Sequence, residues 1–124
     1  MAKILIVEDN EINLKLFKRI VSSMGHETLT ANNGREGIEI AAENLPDMVL
    51  MDIKMPVMDG SEAMKVLKAG EKTKKIPVIA VTAYAMKGDR ERFLGEGFTD
   101  YIAKPVNREE FIKTVKSVLG ENNG

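Results

Sequence analysis

Five side chains in this sequence stand where chemistry is a better use for them than packing. Glu8 and Asp9 end the run KILIVED, Asp52 ends MVLMD, Thr82 ends IPVIAVT, and Lys104 follows DYIA. Each run is short, apolar and suited to a buried strand, yet stops on an acid, a hydroxyl or an ammonium. Three carboxylates brought together repel one another and lose solvation. A hard divalent cation removes that cost, and Mg2+ fits because it takes carboxylate and carbonyl oxygens while keeping waters. Lys104 and the Thr82 hydroxyl are then suitable donors to phosphoryl oxygens. A carboxylate can itself be the nucleophile, forming an aspartyl-phosphate. The set reads as metal-assisted phosphoryl transfer onto an aspartate.

Such a reading requires the strand ends to meet. Strand-like runs fall at Ile4–Val7, Glu27–Thr30, Met48–Met51, Val78–Val81 and Asp100–Ile102, with helical spacing between them. Leu16, Phe17, Ile20, Val21 and Met24 form one apolar stripe, after which Gly25 offers a left-handed stop. Ile38, Ala41, Ala42 and Leu45 form a second, and Ala63, Met64, Val66 and Leu67 a third. The last helix presents Phe111, Val115, Val118 and Leu119. Asn33, Asp59 and Asn107 each stand three residues before a glutamate, the spacing of a helix N-cap. The segment 86–96 reads as a charged helix with only Met86, Phe93 and Leu94 to bury. Five strands alternating with helices imply a parallel sheet covered on both faces. Right-handed crossovers gather the βα loops at its carboxyl edge, where open sheets of this kind bind ligands.

The bulk properties exclude several function classes. A chain of 124 residues fits one domain. It carries 18 basic and 19 acidic side chains, a balance without attraction for nucleic acid or membrane. The cluster Lys65, Lys68, Lys72, Lys74 and Lys75 reads as a solvated helix end and loop. Without cysteine there is no disulfide, thiolate metal site or thiol nucleophile. No apolar run approaches the ~20 residues of a membrane span. Met1-Ala2-Lys3 leads straight into a strand with no signal peptide, so a cytoplasmic location is expected. The polar residues 121–124 read as a tail beyond a domain of residues 1–120.

With IVEDN, MDIKMPVMDG, VTAYAMKGD and YIAKPV in order, the chain resembles the receiver (CheY-like) domain of two-component response regulators along nearly its whole length. The wording EDNEIN and TAYAMKGD is similar to stand-alone receivers of the DivK kind. The resemblance implies a flavodoxin-like (βα)5 doubly wound α/β fold with strand order 2-1-3-4-5. It implies that Asp52 accepts a phosphoryl group from the phosphohistidine of a histidine kinase or histidine phosphotransfer protein. Glu8, Asp9, Asp52 and the Lys54 carbonyl would hold Mg2+. Thr82 and Lys104 would bind phosphoryl oxygens, helped by backbone N–H groups of Ala83 and of Ile53 or Lys54. Tyr101 matches the family's switch aromatic, and Lys104-Pro105 a bond that is usually cis. A downstream protein would then read the face built from 86–96, Tyr101 and 107–119. The chain would be a phosphoacceptor switch rather than an enzyme turning over external substrates, catalysing only its own phosphorylation and dephosphorylation. Lys54 and Tyr84 would flank the approach of hydrolytic water, and neither is a good base near neutral pH. Slow loss of phosphate is therefore expected.

Plainer readings exist for each residue. Asp52 alone suits a turn or cap, and Glu8-Asp9 the positive end of a helix. Thr82 suits a strand end, Lys104 a solvated loop and Tyr101 an edge strand. The ordered motif outweighs them. His26 lies away from the strand carboxyl ends and reads as a surface residue, and the eight methionines as core and loop filler. Ile12 and Leu14 fall beside the core stripe of the first helix, next to Asp9, and are candidate anchors for a phosphodonor. A haloacid-dehalogenase-like phosphatase would carry a second Asp two residues after the first, where this chain has Lys54. A flavin carrier would want Ser/Thr/Gly-rich phosphate loops where IVEDNEIN supplies acids. A degenerate receiver would have lost the acids.

Overall fold

Residues 1–83 and 88–120 are described by the computed structural model, which shows the alternation realised in full. Its elements run β1 (Lys3–Val7), α1 (Glu11–Ser23), β2 (Glu27–Ala31), α2 (Gly34–Asn44), β3 (Met48–Asp52), α3 (Gly60–Ala69), β4 (Val78–Thr82), α4 (Asp89–Glu96), β5 (Asp100–Ala103) and α5 (Arg108–Leu119). The strands form one parallel sheet in the order β2-β1-β3-β4-β5. That is the doubly wound flavodoxin-like order. β3 and β4 are buried along their whole length, as strands covered on both faces must be.

Alternation along each strand divides the core. Ile4, Ile6, Met48, Leu50, Ile79, Val81 and Ile102 face one way, onto Phe17, Ile20 and Val21 of α1 and Phe111 and Val115 of α5. Leu5, Val7, Val49, Met51, Val78 and Ala80 face the other, onto α2, α3 and Phe93 of α4. Phe17 and Phe111 stack with centroids 5.6 Å apart, tying α1 to α5.

Helix ends follow local chemistry. The side chains of Asn33, Asp59 and Asn107 accept from the N–H of Glu36, Glu62 and Glu110. Asn10 caps α1 by accepting from Asn13 N–H, so Glu8 and Asp9 precede the helix instead of starting it. Gly25 takes the left-handed conformation that ends α1. No helix among the described residues is long and apolar enough to cross a membrane.

Several burial expectations are corrected. Leu16 is 42% exposed, while Leu14 packs against the α1–α5 core. Leu14 stands three residues before Phe17 and seven before Val21, on the buried stripe itself. Leu45 leaves its helix as a left-handed C-cap and is half exposed; Ala42 and Val66 are exposed too. In place of a wider apolar stripe, α2 buries Gly34 and Gly37. His26 is buried at the amino edge of the sheet, where Nδ1 accepts from Ala2 N–H. Tyr84, Met86, Lys87 and the tail 121–124 lie outside the described residues.

Candidate functional site

The pleat explains how the strand ends converge. Glu8 continues the alternation of Ile4 and Ile6, Asp52 that of Met48 and Leu50, and Lys104 that of Ile102. All three therefore point to the α1–α5 side of the sheet. Val7 pairs with Met51, so Glu8 and Asp52 stand level on adjacent strands. A slip of one residue in either strand would send its acid to the opposite face.

These side chains meet in a cleft of about 220 Å3 at the carboxyl edge, lined by Glu8, Asp9, Asp52, Lys54, Thr82, Ala83 and Lys104. Lys104 Nζ donates to Glu8 Oε1 at 3.0 Å and to Asp52 Oδ1 at 3.2 Å. Its own main chain is anchored by Lys104 N–H donating to the Thr82 carbonyl at 2.8 Å. The Lys104–Pro105 bond is cis. Glu8, Asp52 and Thr82 are buried, whereas Asp9 and Lys54 are exposed at the mouth. Asn10 and Asn13 complete the lining, and Asn10 N–H donates to Glu8 Oε2 at 3.1 Å. The motif reading missed these two; the signal was Asn10 in the N-cap position, which turns the start of α1 toward the acids. Tyr101 lies off the cleft, half-buried on the opposite face of β5, with its ring 6.4 Å from that of Phe93.

Carboxylate oxygens of Glu8, Asp9 and Asp52 come within 4.8 Å of one another. Burial pushes the Asp52 carboxyl up to about 7, and the hydrogen bond and negative charge of Glu8 push the same way, against the pull of Lys104. Burial draws Lys104 down, but the Glu8 hydrogen bond and the charges of Asp52 and Glu8 outweigh it, leaving a net upward shift. Lys104 inside the cleft and Lys54 exposed at its mouth do not balance three acids. A compact set of hard oxygen donors, partly buried and short of positive charge, fits a small divalent cation such as Mg2+.

The sequence profile of the response regulator receiver domain matches residues 4–116. The polar-differentiation response regulator DivK of Brucella anthropi is 48% identical over 118 residues, covering 95% of this chain and 96% of that protein. Among solved structures, the receiver domain of the sensor histidine kinase PA1611 from Pseudomonas aeruginosa, with a magnesium ion coordinated in its active-site cleft, is 35% identical. It superposes with a TM-score of 0.88 over 96% of this chain and 98% of that one. The CheX–CheY–BeF3–Mg2+ complex of Borrelia burgdorferi contains a chain that is 28% identical, with a TM-score of 0.88 over 94% of this chain and 87% of that one. From the order of its strands to the acids at their carboxyl ends, this chain belongs to the response regulator receiver family.

Proposed function

We propose that Asp52 accepts a phosphoryl group from a phosphohistidine donor, and that the modified chain switches protein–protein contacts in a cytoplasmic histidine-to-aspartate relay. The observation that carries this reading is the Lys104 ammonium bridging Asp52 and Glu8 in an acid-lined cleft at the carboxyl edge of the sheet. In the transfer, the donor's P–N bond breaks and a bond forms between phosphorus and an Asp52 carboxylate oxygen, with the imidazole as leaving group. Asp52 must be ionised to attack. Glu8, Asp9, Asp52 and the Lys54 carbonyl would hold Mg2+, which when bound supplies the positive charge that lets the acids stay ionised together. Lys104 then exchanges a carboxylate partner for a phosphoryl oxygen. The Thr82 hydroxyl and the N–H groups of Ala83 and Lys54 take the remaining oxygens, since the Ile53 N–H already donates to the Val81 carbonyl.

A Thr82 hydroxyl drawn toward the phosphoryl group leaves room for Tyr101, whose ring already lies against Phe93 of α4. The output would therefore pass through α4, Tyr101 and α5 to a downstream protein. On the input side, a groove of about 370 Å3 opens beside the cleft between α1 and the segment 104–106, lined by Leu16, Phe17, Pro105 and Val106. Ile12, 79% exposed, stands four residues before Leu16 on the same face of α1, so Ile12 and Leu16 replace Ile12 and Leu14 as the apolar anchors for a histidine kinase or histidine phosphotransfer protein. Residues 1–120 form the switch unit in this reading, which turns over no external substrate.

Incubation with acetyl phosphate and Mg2+, followed by intact-mass spectrometry, tests the proposal. Wild type should gain the mass of one phosphoryl group, and Asp52→Asn none. Unmodified wild type, or equal labelling of the variant, overturns it.

A further inference from the structure

Two glycines have main-chain atoms as their nearest neighbours at the loop that follows Asp52, and Gly34 also faces Met58 Cγ and Ala63 Cβ. A Cβ on Gly60 would lie 2.4 Å from the Asp52 carbonyl oxygen and 2.9 Å from Ile53 Cα. A Cβ on Gly34 would lie 2.7 Å from the Met58 carbonyl oxygen. Neither glycine has a positive φ, so space alone excludes a side chain at both positions. Gly70, at the other end of α3, makes an equally short approach of 2.4 Å, but to the Thr73 hydroxyl, which donates to the Leu67 carbonyl away from the acceptor loop, so crowding there strains the end of α3 and not the Asp52 peptide. The peptide beside Asp52 is itself held on both sides. Ile53 N–H donates to the Val81 carbonyl of β4 at 3.2 Å, and Gly60 N–H donates to the Ile53 carbonyl at 2.8 Å. The chain just past Asp52 is thus pinned between the sheet and the first turn of α3.

We propose that Gly60 and Gly34 are positioning residues for the acceptor site. They clamp the 53–59 loop at its two ends, Gly60 on the Asp52–Ile53 peptide and Gly34 on Met58, so that the Asp52 carboxylate and the Lys54 carbonyl face Glu8 and Asp9. The inference rests on the reading of this cleft as a phosphoacceptor site that holds a divalent cation. An alanine at 60 must displace the main chain of the acceptor itself. A binding constellation tolerates displacement of only about 0.5 Å, so a shift that the fold survives still disorders the oxygen set.

Mg2+ affinity, read by amide NMR titration well below each variant's melting temperature, separates this role from plain packing. Relative to wild type, Gly60→Ala should weaken Mg2+ binding about tenfold or more, as loss of a supporting contact does. Gly34→Ala should weaken it several-fold. In EDTA, both should already shift the Ile53 amide resonance. Gly70→Ala should lower the melting temperature and leave Mg2+ affinity unchanged. A folded Gly60→Ala or Gly34→Ala with wild-type affinity overturns the clamp, as does an equal loss in Gly70→Ala. If Gly60→Ala does not fold, Gly34→Ala alone decides. A wild type that binds no Mg2+ overturns instead the reading on which the clamp rests.

Discussion

The helices α3 and α4 follow the two central strands that carry Asp52 and Thr82, and they are built to opposite specifications. α3 starts on a side-chain cap from Asp59 and buries Gly60, Ala63, Met64 and Leu67. α4 starts at Gly88 without a side-chain cap, ends on another left-handed glycine, Gly97, and buries Phe93 alone. α3 presses directly on the acceptor peptide through Gly60. α4 reaches the sheet through one aromatic group, Phe93 against Phe98 and Tyr101. A helix held by many buried contacts keeps its place when charge changes nearby, whereas one held by few opens and re-forms at low cost. In the proposed switch, this contrast would leave α3 to hold the chemistry in place and α4 to report it.

The largest expected effect would break the contrast at its anchors. Phe93→Ala and Leu67→Ala should each cost about 2–5 kcal/mol of local or global stability, but in different places. Hydrogen exchange should show Phe93→Ala opening the 89–96 amides while β3 and β4 stay protected. Leu67→Ala should weaken the protection of the whole sheet. Uniform loss in both variants would mean that α4 is no more independent than α3.

A second prediction concerns the charge that α3 holds in place. The folded-state pKa of Asp52, about 7, lies above its ordinary value of 3.8. The protein therefore folds more favourably with Asp52 protonated; that contribution is complete below about pH 3.8 and lost as pH rises through about 7. In EDTA, Asp52→Asn should match wild type near pH 4 and exceed it by ~1–3 kcal/mol at pH 8. Added Mg2+ should reduce the gap by stabilising wild type. Denaturation curves across pH check the sign: a gain that is largest in acid would contradict the charge assignment.

The smallest effect blurs the contrast from the other side. Asp59→Ala removes the N-cap and should cost about 1 kcal/mol, leaving α3 with an uncapped start like that of α4. Thermal melts measure the cost. Fraying should be confined to the first turn of α3, and an unchanged melting temperature would show that Gly60's contacts make the cap redundant.

Much of this was legible in the sequence because it is local or periodic. The four apolar runs ending on Glu8, Asp52, Thr82 and Ala103 carry their strand identity in a few residues, and the caps at Asn33, Asp59 and Asn107 sit at fixed spacing from a glutamate. What was not legible depends on which neighbour arrives. Leu16 and Leu14 are both apolar and two residues apart, and only the docking angle of α1 decides which is buried. His26 is buried because the Ala2 main chain crosses it, a contact between residues far apart in sequence. Val57 is 72% exposed with φ at +71°, a conformation that β-branched residues disfavour and that no propensity would anticipate. The close approaches at Gly34 and Gly60 are likewise tertiary: a sequence shows that a glycine is present, not what it touches.

The most direct test of the account is an amide NMR comparison of the protein before and after acetyl-phosphate labelling in Mg2+. Beyond the residues lining the cleft, shifts should concentrate in α4, Tyr101 and the neighbouring β5 amides, while Ala63 to Ala69 of α3 move little, and Asp52→Asn should show neither set. Shifts of equal size in α3 and α4, or a response that survives in Asp52→Asn, would contradict it.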